Sequence, residues 1–366
     1  DYLGFLQDIA FFSRDLRWLH TWSELHAGSP VQFQYSLFLA AIASLAPSAE
    51  SVLKASIFIN LTLAGLGMYL YVFSFTKNKY ASTIAAIVYL TSHSIVSQLG
   101  TGHINHLSML AIMPFAFLLV EKLIYEFSIK NSIVLAALLA MAVYLRGDPI
   151  IFMSTGILAI GLYSLIINIK IKPSSFRNRI KNAIIGGLTV AFLVGLFTAP
   201  FSIMLFGGGV LDNAPSFTTQ NLSPFSLRWQ DAILGFDVAY GSYLWIAGLS
   251  SWSHPAFSDS TQKVLMLIIP FLVLASLTNT YLRKRKTMLA LLTIIGITLS
   301  IGPNWPFTWL YTTIIDYIPF ADRVRVPSRF NSLTWFGYSA LVGIAAREIY
   351  VWVSSAKSWS FTPKFL

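Results

Sequence analysis

The residues of this chain that could do chemistry are few, and the densest group of them is cationic. Arg323, Arg325 and Arg329 stand close together between Pro319 and Phe330. Planar guanidinium forks take phosphate oxygens two at a time, and Pro319 and Pro327 would fix the backbone that carries them. The plainer alternative is that Asp322 pairs with one arginine while the others reach toward lipid headgroups. His103 and His106 are three apart, so on a helix they share a face. A metal pair would need a carboxylate as well, and none is near them in sequence. Contact with a substrate, or capping where a helix enters the membrane surface, are the other uses, with Gly100 and Gly102 allowing a tight backbone turn. Asp148 sits in Arg146-Gly147-Asp148-Pro149, a turn in which Pro149 opens the next helix and the carboxylate could bind a hydroxylated substrate. Asp1, Asp8 and Asp15 are candidate general bases for a reaction that activates a hydroxyl. Asp8 and Asp15 lie on a similar helix face, and position alone does not choose among the three. With no cysteine in the chain, disulfides, thiolate metal sites and cysteine catalysis are excluded.

The elements that must position these residues are apolar helices. The chain is 55% hydrophobic and 11% charged, with a mean hydropathy of +0.66. A soluble domain carries about a quarter of its residues charged, so much of this surface must face something other than water. Runs of about 20 apolar residues recur, the length of a membrane-crossing helix, and backbone groups in lipid must find partners within their own segment. The predicted spans are Ser51–Phe75, Tyr80–Ser97, Leu107–Tyr125, Ser132–Leu145, Ile150–Ile167, Ala183–Leu205, Val264–Tyr281, Met288–Ile301 and Phe330–Val353, with the shorter run Gln32–Ala46 as either a tenth span or a half-buried helix at the membrane surface. The fold class expected is therefore all-α, a polytopic transmembrane bundle.

Two surface helices complete this picture. Phe5, Leu6, Ile9, Phe12, Leu16 and Leu19 recur at helical spacing against Asp8, Arg14, Asp15 and Arg17, the pattern of a helix lying on a membrane. Phe307–Tyr317 is a second, aromatic candidate. Residues 1–47 read as an outer loop with amphipathic helices and residues 48–205 as a transmembrane bundle. A long outer loop follows at 206–262, then a second bundle at 263–366 that includes the arginine-rich outer segment 302–329.

If these spans alternate, Lys77 and Lys79, the basic residues of 170–181 and the run Arg283-Lys284-Arg285-Lys286 fall on one side. That side is expected to be the cytoplasmic face of the plasma membrane. The formal charge of +10 is then a topology signal, and nothing asks for nucleic acid as a partner. The three arginines, the histidines and Asp148 fall on the opposite, outer face.

Three stretches in succession carry a resemblance. They are Gly102-His103-Ile104-Asn105-His106-Leu107 running into Met113–Lys122, then Arg146-Gly147-Asp148-Pro149, then Ser300–Pro306 followed by Pro319-Phe320 and Arg325–Phe330. In order and rough spacing the chain resembles, over nearly its whole length, the GT-C superfamily of membrane glycosyltransferases, in particular the bacterial and archaeal branch that includes YfhO-like proteins. The resemblance implies transfer of a sugar from a polyprenyl-phosphate donor on the outer side of the cell membrane. It implies a base in the first outer loop just after a first span. If a span precedes Asp1, then Asp1 matches that base, with Asp8 the neighbouring candidate. It also implies Arg323, Arg325 and Arg329 on the lipid phosphate. The loop lacks the Asp-x-Asp or Glu-x-Asp pair of the family, so no metal or other cofactor is expected. A non-catalytic subunit of the same fold, with protein partners in a membrane assembly, is the main alternative. A lipid or solute transporter would show internal repeats and charges at mid-membrane, and neither is evident.

Overall fold

Recurrent apolar runs do become helices, and their ends are set by identifiable local chemistry. The computed structural model describes residues 22–23, 29–30, 49–101, 104–145, 149–169, 173–207, 226, 229–234, 260–317 and 327–356. Asp1, Asp8, Asp15, His103, Asp148, Arg323 and Arg325 lie outside the described residues, as do Gln32–Ala46 and the expected amphipathic helix at Phe5–Leu19. The helices in chain order are α1 (Ala49–Thr76), α2 (Lys79–Leu90), α3 (His93–Thr101), α4 (Ile104–Tyr125), α5 (Ile129–Leu145) and α6 (Pro149–Ile169). They continue as α7 (Pro173–Gly207), α8 (Trp229–Leu234), α9 (Ser260–Thr278), α10 (Arg283–Ile301) and α11 (Thr308–Tyr317). A 3-10 turn (Pro327–Phe330) leads into α12 (Asn331–Ala356). The described strand structure is one antiparallel pairing of Trp22–Ser23 with Ser29–Pro30. Three helical stretches are long and apolar enough to cross a membrane: Glu50–Thr76, His106–Tyr125 and Phe176–Ala199.

The predicted span Tyr80–Ser97 is broken. Its first part is α2, which ends where Thr91 donates its backbone N–H to Ile87. Ser92 then opens α3, its hydroxyl accepting from the backbone N–H of Ile95 at 3.4 Å. Serine favours this capping position because its side chain competes for backbone donors. The turn between α1 and α2 is equally well specified. Lys77 takes the left-handed conformation that often ends a helix, and the Asn78 side chain caps α2 by accepting from Ala81 at 3.0 Å.

Two helices act as hubs. α4 packs against α1, α5, α6 and α7, while α12 packs against α10, α2 and α9. Phe117 of α4 and Phe336 of α12 meet edge to face, ring centroids 4.8 Å apart, and Tyr71 of α1 joins them. The crossing of α10 and α12 is close because glycine faces it from both sides. A Cβ on Gly296 would lie 2.6 Å from the backbone nitrogen of Thr334, and one on Gly337 would lie 2.0 Å from the Thr293 hydroxyl. Small residues at such crossings let backbones approach where lipid supplies no hydrophobic drive between helices.

Pro114 sits inside α4 and has no N–H to give to the carbonyl four residues earlier, that of Leu110. The buried Tyr89 hydroxyl donates to that carbonyl at 2.9 Å instead. A backbone acceptor that proline leaves over is thus satisfied by a side chain from α2.

The basic residues gather at one end of the bundle. Lys77, Lys122 and Arg285 line the same cleft, Arg179 lies over the Tyr125 ring at 4.4 Å, and Arg347 over Tyr281 at 3.7 Å. α10 begins with four cations in its first turn, against the sense of the helix dipole. Two of the four are held by carboxylates: Arg285 pairs with Glu121, and Lys286 with Glu348 at 2.5 Å.

Candidate functional site

The opposite end of the bundle carries the histidine and arginine candidates, and most of the polar side chains described there are buried. His106 lies in the first turn of α4 and is 2% exposed; Arg329 lies in the 3-10 turn and is 5% exposed. Aromatic rings link the two positions. The His106 ring meets Phe152 of α6 at 6.1 Å between centroids, and Phe152 meets Phe330 at 4.6 Å, edge to face. Arg329 directly precedes Phe330, so the structure draws the α4 histidine and the 3-10 arginine to the same end, on either side of Phe152.

The turn that bears Arg329 is held from below. Gly302 ends α10 with φ +59, the left-handed region that suits glycine. A Cβ there would meet the Ser226 hydroxyl at 2.4 Å and the Pro327 ring at 2.9 Å. The segment after α10 therefore passes tightly between Ser226 and Pro327, which fixes where the 3-10 turn begins. α8 reinforces the same corner. Ala232 packs on Ile301, with Ile297 and Phe307 against them, and the Tyr338 hydroxyl donates to the Ile233 carbonyl at 2.7 Å. From the long segment 206–262, this short helix and Ser226 are thereby brought against the bundle.

Around His106 and Arg329 lies a layer of buried polar side chains. Ser328, Asn331, Ser332 and Thr334 come from the 3-10 turn and the start of α12, and Ser108 from α4. His93 and Gln98 come from α3, which packs on α4 and α12. Ser56 and Asn60 of α1 are four apart and share a face. α1 and α4 run side by side in the same direction, since Gly67 abuts Pro114 and Phe115 while Tyr71 reaches Glu121. At about 1.5 Å of rise per residue, Asn60 is level with the first turns of α4, where His106 and Ser108 sit.

Several atoms of this layer have no hydrogen-bond partner among the described residues: Ser56 Oγ, Asn60 Nδ2, Ser328 Oγ, Ser332 Oγ and Thr334 Oγ1. Each such burial costs roughly 1–3 kcal/mol. An arrangement of this kind offers hydroxyl, amide, imidazole and guanidinium groups that could together hold a phosphate and sugar hydroxyls.

Of the residues that the sequence singles out, His106 and Arg329 are therefore both inside this layer, while His103 immediately precedes α4 outside the described residues. The alternative in which Arg329 reaches out to headgroups does not fit its 5% exposure. The segment expected as a second surface helix, Phe307–Tyr317, is helical as α11, with Trp309 68% and Tyr317 81% exposed. Sequence reasoning missed Ser56, Asn60 and the Asn331–Ser332 pair. The available signal was an Asn and a Ser at helical spacing in an otherwise apolar run. No family model matches this chain, and neither does any curated protein or solved structure with which it was compared.

Proposed function

We propose that this chain is a polytopic membrane protein of the GT-C kind that moves a sugar from a polyprenyl-phosphate donor to an acceptor on the extracytoplasmic side. The observation that carries this reading is the burial of Arg329 in a polar layer that also holds His106, at the end of the bundle away from the basic cleft. The basic end then faces the cytoplasm, as the distribution of Lys and Arg suggests. A planar guanidinium fork binds phosphate oxygens two at a time, and a lipid phosphate presents such oxygens.

In this mechanism the donor phosphate binds at Arg329, with Arg323 and Arg325 from the same segment completing the cradle. Asp1 or Asp8 takes the proton from the acceptor hydroxyl as its oxygen attacks the anomeric carbon. The bond between that carbon and the phosphate oxygen breaks, and polyprenyl phosphate leaves with its charge stabilised by the arginines. His106 and Asp148 contact the sugar.

The test is retention of a polyprenyl-phosphate hexose by the purified protein, read by native mass spectrometry. Arg329→Gln and, separately, Arg325→Ala are expected to lower retention about tenfold, the scale of a lost charged hydrogen bond. Unchanged retention in a folded Arg325→Ala protein would remove the phosphate assignment. A second reading, a non-catalytic subunit of a larger membrane assembly, is favoured by the placement of the described carboxylates. Glu121 and Glu348 are at the basic end, and Glu50, Glu126 and Asp316 are exposed. A wild-type protein that retains the lipid but transfers no sugar, with Asp1→Asn and Asp8→Asn no different from it, would move the assignment to that subunit.

A further inference from the structure

The cleft at the basic end is built differently from the polar layer, and we propose that it holds the phosphate headgroup of an anionic membrane lipid. It measures about 510 Å³, and its walls come from the ends of α1 and α4 and the starts of α5 and α10. That volume is far more than one water needs, about 30 Å³, and lies in the range of ligand pockets, about 300–1,000 Å³.

Charge within the cleft is unevenly committed. Glu121 is buried and both its oxygens are engaged: Oε1 accepts from the Tyr71 hydroxyl at 2.9 Å, and Oε2 from Arg285 Nη1. The pair is neutral as a unit. Lys77 and Lys122 are exposed, and neither forms an ion pair among the described residues. Glu126 offsets one of these two charges, so the cleft remains net cationic. Ser128 and Asn131 add a hydroxyl and an amide donor to its wall, while the Ser74 hydroxyl donates to the Tyr71 carbonyl at 2.6 Å. One flank is apolar and open: Tyr125, Phe127 and Ile129 are exposed beside it. Two ammonium groups and neutral donors above, with apolar surface alongside, match a phosphodiester headgroup continuous with acyl chains. Basic pockets between helices on a cytoplasmic face are suited to such headgroups.

This inference rests on the membrane reading of the chain and not on sugar transfer, and its readout does not involve His106 or Arg329. The protein would be placed in nanodiscs of phosphatidylcholine with a minor fraction of phosphatidylglycerol, then released for native mass spectrometry. Wild type is expected to retain phosphatidylglycerol in preference to phosphatidylcholine. The Lys77→Gln/Lys122→Gln double variant is expected to lose that preference by roughly 25-fold, since each basic residue near an anionic headgroup contributes about fivefold. Lys54→Gln/Lys130→Gln removes the same charge outside the cleft and should keep the preference. The proposal is overturned if wild type shows no preference, if both double variants lose it equally, or if the cleft variant keeps it. Soluble glycerol phosphate is expected not to displace the lipid at millimolar concentration. Displacement would overturn the lipid as source and leave a site for free phosphate.

Discussion

The two ends of this bundle bury polar groups in opposite ways. At the basic end, two cations are each matched to a carboxylate. Lys286, 2% exposed, donates to Glu348 at 2.5 Å and to the carbonyls of Ser276 and Asn279, and Glu121 takes both Tyr71 and Arg285. Burial alone would push the Arg285 guanidinium down, but the Glu121 carboxylate holds it above the ordinary arginine range. At the histidine end, hydroxyls and an amide nitrogen are buried without partners among the described residues, alongside His106 and Arg329. The comparison separates two uses of buried polarity. Matched pairs fix how helices dock, whereas unmatched groups carry a desolvation cost that no described contact offsets. The cost of each follows from the low dielectric of the interior, which strengthens a matched pair and penalises an unmatched group.

Mutations at the two ends should therefore differ in what they change. The largest expected effect is at Glu348. Its replacement by Ala leaves the Lys286 ammonium buried with carbonyls alone, and unfolding in detergent should show a loss of about 3 kcal/mol. A loss below about 1 kcal/mol would mean that this end is not held by its ion pairs. Next is the α10–α12 crossing, which both ends share. Gly337→Ala forces a methyl onto Thr293, with an expected loss of about 2 kcal/mol in the same assay. Adding Thr293→Ala should restore part of it, and a double variant no more stable than Gly337→Ala would show that the clash is not the cause. The smallest stability effect is expected at the histidine end. Ser332→Ala removes a buried hydroxyl whose oxygen has no partner among the described residues and should stabilise the protein, by about 1 kcal/mol. A large loss there would erase the contrast between the ends and make the polar layer a packing element.

Much of the helical layout was legible in the sequence, for a reason that is specific to apolar chains. A run such as Ser51–Phe75 leaves its backbone no partner but itself, so α1 (Ala49–Thr76) follows closely. The same logic placed α4, α6 and α12 within a few residues. It failed at Tyr80–Ser97, where Thr91 and Ser92 stop one helix and start another. Composition smooths over two hydroxyl residues, but capping does not. It also understated α7, which extends from Pro173 through Arg177, Arg179 and Lys181. Those cations interrupt an apolar run without interrupting a helix. At the site, Arg329 and His106 were legible because charge and imidazole are conspicuous in an apolar chain. Asn60 and Ser332 were not, since one amide or hydroxyl within a long helix has no distinctive pattern until a neighbour is known.

By itself, then, the sequence determined that the chain is helical and apolar, with helices of the length that membranes require, and that its basic residues recur at alternate helix ends. Those are consequences of local composition and of the backbone's need for hydrogen bonds. Only the tertiary structure decided that Arg285 would be matched to Glu121 and Lys286 to Glu348, each across a long sequence separation. It alone set Phe152 between His106 and the Phe330 that follows Arg329. Pairing of this sort depends on which helix faces which, and that is fixed by the close approach at Gly296 and Gly337 and by the aromatic contact of Phe117 with Phe336. Side-chain volume at those crossings is a property of two helices together, so no single stretch of sequence could express it.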